Sequence, residues 1–179
     1  KGARANGAVI KENTPVTEIL IEGGKLAGVR TAAGDIACEK LVLCCGQWTR
    51  ELAQTIGVTV PLISVEHQYM LTEAFGVPTD LPTLRDPDRL TYYKEEVGGL
   101  IMGGYEPNGI PWAKDGIPEF FDFQLLESNF DHFEQLIEMA LPRVPKLESV
   151  GVKQLINGPE SFTPDGNFIL GEAPEMADV

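Results

Sequence analysis

Histidine, cysteine and positive charge are all scarce in this chain, and each scarcity removes a class of function. There are two histidines, His67 and His132, and three cysteines, Cys38, Cys44 and Cys45. Neither set has metal-ligand spacing, and two histidines are too few to complete a site, so no metal is expected. The odd cysteine count, with two adjacent inside an apolar run, reads as buried thiols in a reducing compartment. Lysine and arginine number 14 against 27 aspartates and glutamates, a formal net charge of −13, and the basic residues are scattered. That balance argues against nucleic acid and anionic membranes as partners and otherwise serves solubility. No apolar run approaches membrane-spanning length, and no leader-like segment follows Lys1. A G-x-G-x-x-G after a strand, a P-loop, H-E-x-x-H and G-x-S-x-G are all missing. The first residue is not methionine, and the chain is expected to be a piece of something longer.

What is present suffices for a core. With 43% hydrophobic residues in 179, the chain is expected to form one ordinary domain or parts of two lobes. The stretch 41–48 organises the reading. Leu41-Val42-Leu43-Cys44-Cys45 predicts a fully buried strand, Gly46 a sharp turn at its carboxyl end, and 49–56 a helix. Trp48 stands at the mouth. In open α/β sheets a ligand sits at that edge, which makes the turn a candidate nucleotide site.

Before it, residues 7–45 alternate β-rich runs with turn signals. Strands are predicted at 8–10, 16–22, 26–31 and 36–38, an antiparallel meander attached to one buried strand. After the helix, 58–73 predicts a long strand. Period-two alternation puts Ile63, Val65, His67, Tyr69 and Leu71 on one face, and Ser64, Glu66, Gln68, Met70 and Thr72 on the other. His67 therefore reads as either a satisfied core histidine or a functional residue. Residues 90–94 and 100–105 predict a hairpin, in which Tyr92 and Tyr93 face opposite ways and Gly103-Gly104 allows close backbone approach. Phe123, Leu126, Phe130, Phe133, Ile137 and Ala140 form a helical core stripe, in one helix or in two if Ser128-Asn129 caps a second start, ended by Pro142. A strand at 150–156 should end in Asn157-Gly158-Pro159. A turn at 163–167 should lead to a last short strand at 168–171.

Several stretches, in order, resemble one family. Gly2-Ala3-Arg4 with Gly7-Ala8 and Val16-Thr17, then Cys45-Gly46-Gln47-Trp48, His67-Gln68-Tyr69 with Thr72, Leu84-Arg85-Asp86, Tyr92-Tyr93-Lys94-Glu95 and the run 157–166 carry the likeness. Together they resemble the middle of a flavoprotein amine dehydrogenase of the dimethylglycine/sarcosine dehydrogenase group, within the D-amino-acid-oxidase-like superfamily. The resemblance implies an α+β fold, with a mixed or antiparallel β-sheet substrate lobe with packed helices beside the β-meander of an incomplete FAD-binding lobe. It places a partial FAD lobe at 1–57, a substrate lobe at 58–155 and a return strand at 156–179. Val16, Cys45, Gly46 and Trp48 would line FAD. His67 and Tyr92 would line the amine pocket as the catalytic pair, orienting the substrate and favouring its neutral amine. The implied reaction is hydride transfer from an N-methyl carbon to FAD, giving an iminium. A folate is implied for a separate C-terminal region.

The family's glycine-rich fingerprint, its flavin-tethering histidine and its last flavin segment are not in this sequence. The isolated chain is accordingly expected to hold FAD poorly and to be inactive. Two other classes compete with the enzyme. One is a non-catalytic regulatory relative, because a regulatory subunit of pyruvate dehydrogenase phosphatase resembles the same family. The other is a binding or assembly module that self-associates through an exposed lobe. The expected partner is a small N-methyl amine, and the expected location a bacterial cytoplasm or the mitochondrial matrix.

Overall fold

Runs of alternating side chains build two separate antiparallel sheets, one in each of two units. The computed structural model describes residues 1–179. One unit is Lys1–Leu62 with Thr163–Val179, and the other is Ile63–Phe162.

The first unit begins with a single helical turn, α1 (Gly2–Ala5), and contains the predicted meander: β1 (Val16–Glu22), β2 (Lys25–Thr31) and β3 (Gly34–Ala37), in that order. Ile19, Gly28, Val29 and Thr31 are the buried residues of the meander. A 3-10 turn, Gly46–Trp48, leads into α2 (Thr49–Gln54), which buries Ala53. The expected buried strand at 41–45 does not form. The Leu41 N–H donates to the Asp178 carbonyl at 2.9 Å, but no strand lies alongside the residues that follow. An apolar run is held as a central strand only by ladder partners for its N–H and C=O groups. Val42 is accordingly 79% exposed. Cys44 is exposed and Cys38 and Cys45 only half-buried, so the thiols are free but not buried as expected. The strands expected at 8–10 and 168–171 are irregular for the same reason, and Val9, Phe168 and Leu170 are exposed.

The second unit is a six-stranded sheet: β4 (Ile63–Thr72), β5 (Leu84–Asp86), β6 (Thr91–Glu96), β7 (Gly99–Gly104), β8 (Pro111–Trp112) and β9 (Val152–Phe162). β4 is the central strand. It pairs with β7 at residues 69–71, with β8 at 64–65 and with β9 along its length, all antiparallel. The predicted alternation is correct, but the buried face is the polar-looking one. Ser64, Gln68, Met70 and Thr72 are buried, while Val65, His67, Tyr69 and Leu71 are half-buried. The reason is the helix α3 (Phe130–Ala140), which covers that side. Tyr93, Met102, Met70 and Leu155 lie in register across β6, β7, β4 and β9, and Phe133, Leu136 and Ala140 pack on them as the core. Gln68 serves burial there too. Its side chain accepts from the Asn129 N–H at 2.8 Å and donates to the Asn129 carbonyl at 3.1 Å, pinning the start of α3 to the sheet.

Of the two helix alternatives only the second half forms. Asn129 caps α3, its side chain accepting from the His132 N–H at 3.1 Å. Phe123 has a positive φ of 51° and is fully exposed, and Leu126 instead bridges to Asn157. The strand at 150–156 does not stop at Asn157-Gly158-Pro159 but runs on to Phe162. Pro159 is tolerated because β9 is an edge strand, so the missing N–H interrupts no second ladder.

Candidate functional site

The sheet face away from α3 is built by the alternate residues of the same strands. Tyr92 on β6, Gly103 on β7 and Tyr69 on β4 lie in register, and His67 is two residues along β4 on the same side. Tyr93, on the other side, is only 3% exposed in the core. Parity therefore leaves Tyr92 as the tyrosine that shares a face with His67.

Tyr105, just beyond β7, is the centre of this face. The His67 ring stacks on it with centroids 4.8 Å apart and planes 26° from parallel. Tyr92 lies 6.4 Å from the same ring, and Phe162 meets it edge-on, also at 6.4 Å. Such separations are those of attractive aromatic pairs. The Arg85 guanidinium lies 5.8 Å from the Tyr105 centroid, a cation–π distance. A cavity of about 240 Å3 opens beside this group, lined by Val65, Glu66, His67, Tyr105, Glu106, Gly109 and Phe162. It exists because β4 changes partner here. Between its pairing with β7 and with β8, the loop after Tyr105 runs past the strand, and the Glu66 N–H donates to the Ile110 carbonyl at 2.8 Å.

The His67 side chain is 14% exposed on this face. Its Nε2 lies 3.5 Å from Glu160 on β9, a carboxylate that is itself 45% exposed. Tyr92 is held as a neutral phenol. Burial, then the neighbouring Tyr105 and the carboxylate of Glu160, push its pKa up to about 12, so its hydroxyl keeps its proton throughout the physiological range. One residue not singled out from sequence, Glu106, completes the wall. The Glu106 side chain is 4% exposed and its Oε1 lies 3.2 Å from His132 Nε2, while its Oε2 is buried with no partner.

The residues expected to line a cofactor all lie in the other unit. Val16 opens β1 and is 43% exposed. Cys45 precedes the 3-10 turn, Gly46 takes a φ of +56° in it, and Trp48 ends it at 42% exposure. Nothing lies within 4 Å of where a Cβ on Gly46 would stand, so the backbone of this turn is open to an approaching group. The three residues of the turn are together, whereas Val16 belongs to the meander. His and Cys with Asp and Glu form no cluster able to hold a metal.

A six-stranded antiparallel sheet with one face under α3 leaves the other, carrying His67, Tyr92 and Tyr105, as the candidate small-molecule face. The family described as DAO, FAD dependent oxidoreductase, matches residues 1–179, and the chain belongs to that family. It is 39% identical over 180 residues to 4-methylaminobutanoate oxidase (formaldehyde-forming) of Paenarthrobacter nicotinovorans, covering all of this chain and 22% of that protein. It is 39% identical to mitochondrial sarcosine dehydrogenase of Homo sapiens, covering 98% and 20%, and 38% identical to the mitochondrial pyruvate dehydrogenase phosphatase regulatory subunit of Mus musculus, covering 96% and 20%. The chain therefore spans about a fifth of the length of these curated relatives. Among solved structures, L-proline dehydrogenase from P. horikoshii superposes with a TM-score of 0.73 at 22% identity, covering 98% of this chain and 45% of that one. The fold is shared at that level.

Proposed function

We propose that this chain belongs to an FAD-dependent oxidoreductase acting on N-methylated amines of the sarcosine or dimethylglycine type, and that His67 and Tyr92 line the amine pocket. One observation carries the reading: His67 and Tyr92, far apart in sequence, meet the same Tyr105 ring on the sheet face that no helix covers. The names of the relatives supply the substrate class.

Bound FAD would supply the hydride acceptor for the N-methyl carbon. The protein's part is position and electrostatics. Tyr92, its pKa pushed up to about 12, offers a hydroxyl donor and not a base. His67, stacked on Tyr105 and near Glu160, has its ring plane fixed, so the orientation of its polar edge is set before substrate arrives. The aromatic wall keeps water from the reacting carbon. The turn around Gly46 fits a large planar cofactor, with an open backbone and a half-exposed indole. On this reading Val16, Cys45, Gly46 and Trp48 would hold FAD. The domain assignment, a partial FAD lobe at 1–57, a substrate lobe at 58–155 and a return segment at 156–179, is part of the proposal. So is a folate-using C-terminal region in the longer protein, in a bacterial cytoplasm or the mitochondrial matrix. The 179 residues alone are expected to hold little flavin and to oxidise no amine.

The test uses the full-length protein. It should be yellow and be bleached anaerobically by N-methylglycines, and His67→Ala and Tyr92→Phe should each lower kcat/KM by about 10-fold, the worth of one hydrogen bond at a buried site. A colourless protein that binds no flavin would sink the enzyme reading. The similarity to the phosphatase regulatory subunit would then favour a regulatory role.

A further inference from the structure

The cavity holds one group that neither the aromatic cluster nor the hydrogen-bond network accounts for. Glu106 follows Tyr105 directly, lines the cavity, and is 4% exposed. One carboxylate oxygen is tied to His132 on α3, at 3.2 Å, and the His132 ring is held on its other nitrogen by Gln135 at 3.4 Å. The second oxygen, Oε2, is buried and meets no donor. A carboxylate oxygen withdrawn from water without a donor is costly, and its cost is recovered when a bound molecule supplies one. The acceptor is immobilised from behind by a helix that is itself capped by Asn129 and pinned by Gln68. Glu66 also borders the cavity, but its carboxylate accepts from the Asn157 side-chain amide at 2.8 Å, which leaves Glu106 Oε2 as the unpartnered acceptor on this wall.

We propose that Glu106, positioned by His132, is a further substrate-binding residue: its Oε2 accepts a hydrogen bond from an N–H of the substrate amine. The inference rests on the amine-oxidising reading above and narrows it. The amine must carry an N–H, as a secondary amine or a protonated tertiary amine does and a quaternary ammonium does not. The carboxylate end of an N-methyl amino acid points away from Glu106, and Arg85 over Tyr105, which has no carboxylate partner, is the cation on this face available to it.

The experiment is done on the full-length flavoprotein, with ligand binding read from perturbation of the flavin spectrum and turnover measured in parallel. N-methylglycine is compared with N,N,N-trimethylglycine, which keeps the carboxylate and the charge but has no N–H. The wild type is expected to favour N-methylglycine at least 10-fold. Glu106→Ala is expected to weaken N-methylglycine by about 10- to 100-fold, the range of a hydrogen bond to a charged group, and to leave trimethylglycine as it was. Glu106→Asp, which keeps the charge but withdraws the oxygen by one methylene, should show the same selective loss, and it replaces the alanine variant if that one fails to fold. An equal loss for both ligands, or no loss, overturns the role of Glu106 while turnover by the wild type leaves the amine reading standing. A wild type that neither binds nor oxidises N-methylglycine overturns both.

Discussion

Gly103 and Gly104 are neighbours at the end of β7, yet the structure assigns them opposite tasks, and an alanine at each separates them. A Cβ on Gly103 would stand 2.5 Å from Cζ of Tyr92 and closer still to its hydroxyl, with Cβ of Tyr69 at 3.0 Å. The obstacle is mainly the far end of a side chain, which can swing away. Forcing Tyr92 from its rotamer costs about 1 kcal/mol, and losing part of its burial about another 1 kcal/mol. The better strand propensity of alanine returns about 0.5–1 kcal/mol. The expected net loss is about 1–1.5 kcal/mol. A Cβ on Gly104 would collide instead with the Leu90 carbonyl oxygen and come within 2.8 Å of Leu136 Cδ2. That carbonyl is backbone, already fixed by the Tyr105 N–H at 2.9 Å. Gly104→Ala should therefore cost about 3 kcal/mol, at the upper end for overpacking. Denaturant unfolding gives both values, and alkaline titration of tyrosine absorbance gives the site. In the wild type one tyrosine, identified by its loss in Tyr92→Phe, should ionise near pH 12. In Gly103→Ala its midpoint should fall toward about 10, the value of an open phenol. The unfolded chain ionises Tyr92 near 10 and the folded one near 12, so this group's share of stability is present below about 10 and is lost as pH rises between the two values. If Gly103→Ala costs as much as Gly104→Ala and leaves the titration unchanged, the packing of Tyr92 over Gly103 is refuted.

Three further outcomes follow from the same sheet. Phe133→Ala should cost about 3–5 kcal/mol because the ring is 1% exposed under the sheet, whereas Phe123→Ala should stay within about 0.5 kcal/mol because that ring is fully exposed; equal effects by chemical denaturation would contradict the helix boundary. Val97 has a φ of +49° ahead of Gly98 at +78° in the β6–β7 turn, so Val97→Asn should stabilise the protein by about 1 kcal/mol, measured as a raised Tm. Asp86 is held below the usual carboxylate range, first by its hydrogen bond from Arg143. Its contribution is therefore present above about pH 4, its unfolded value, and is lost as pH falls through the lower folded one; Asp86→Asn should flatten that acid limb of a Tm-versus-pH curve.

How far the fold was legible depends on whether the signal was local. The meander from Val16 to Ala37 and the hairpin of β6 and β7 were, because alternation and turn residues sit within a few positions of each other. The run at Leu41 was not. Its composition describes a strand between partners, and composition carries no information on whether a partner runs beside it. The stripe from Phe123 misled differently. The spacing continued through Ser128-Asn129, but the cap at Asn129 and the Gln68 bonds fix the helix start there, and a cap outweighs a propensity of tenths of a kcal/mol per residue. Asn157-Gly158-Pro159 reads as a turn in isolation, and becomes strand because the whole length of β4 lies alongside it.

The site divides along the same line. Period-two parity put Tyr92 and Tyr93 on opposite faces, so at most one could join His67, and only the register of Tyr92, Gly103 and Tyr69 makes it Tyr92. Which face is buried was beyond parity. Ser64, Gln68 and Thr72 look like a solvent face, and only the arrival of α3 makes them the covered one. Once Gln68 is spent on pinning that helix, the apolar-looking face is the one turned away from α3, and the histidine on it stacks on Tyr105. Glu106 left no trace in sequence at all, since it stands beyond the end of β7 where no periodicity extends, and its partner His132 is on a helix 26 residues away. An orphaned carboxylate oxygen is a property of three dimensions. The strand residues that periodicity can find supply the frame of the pocket, and the group that would distinguish one amine from another comes from a loop, where position depends on everything packed behind it.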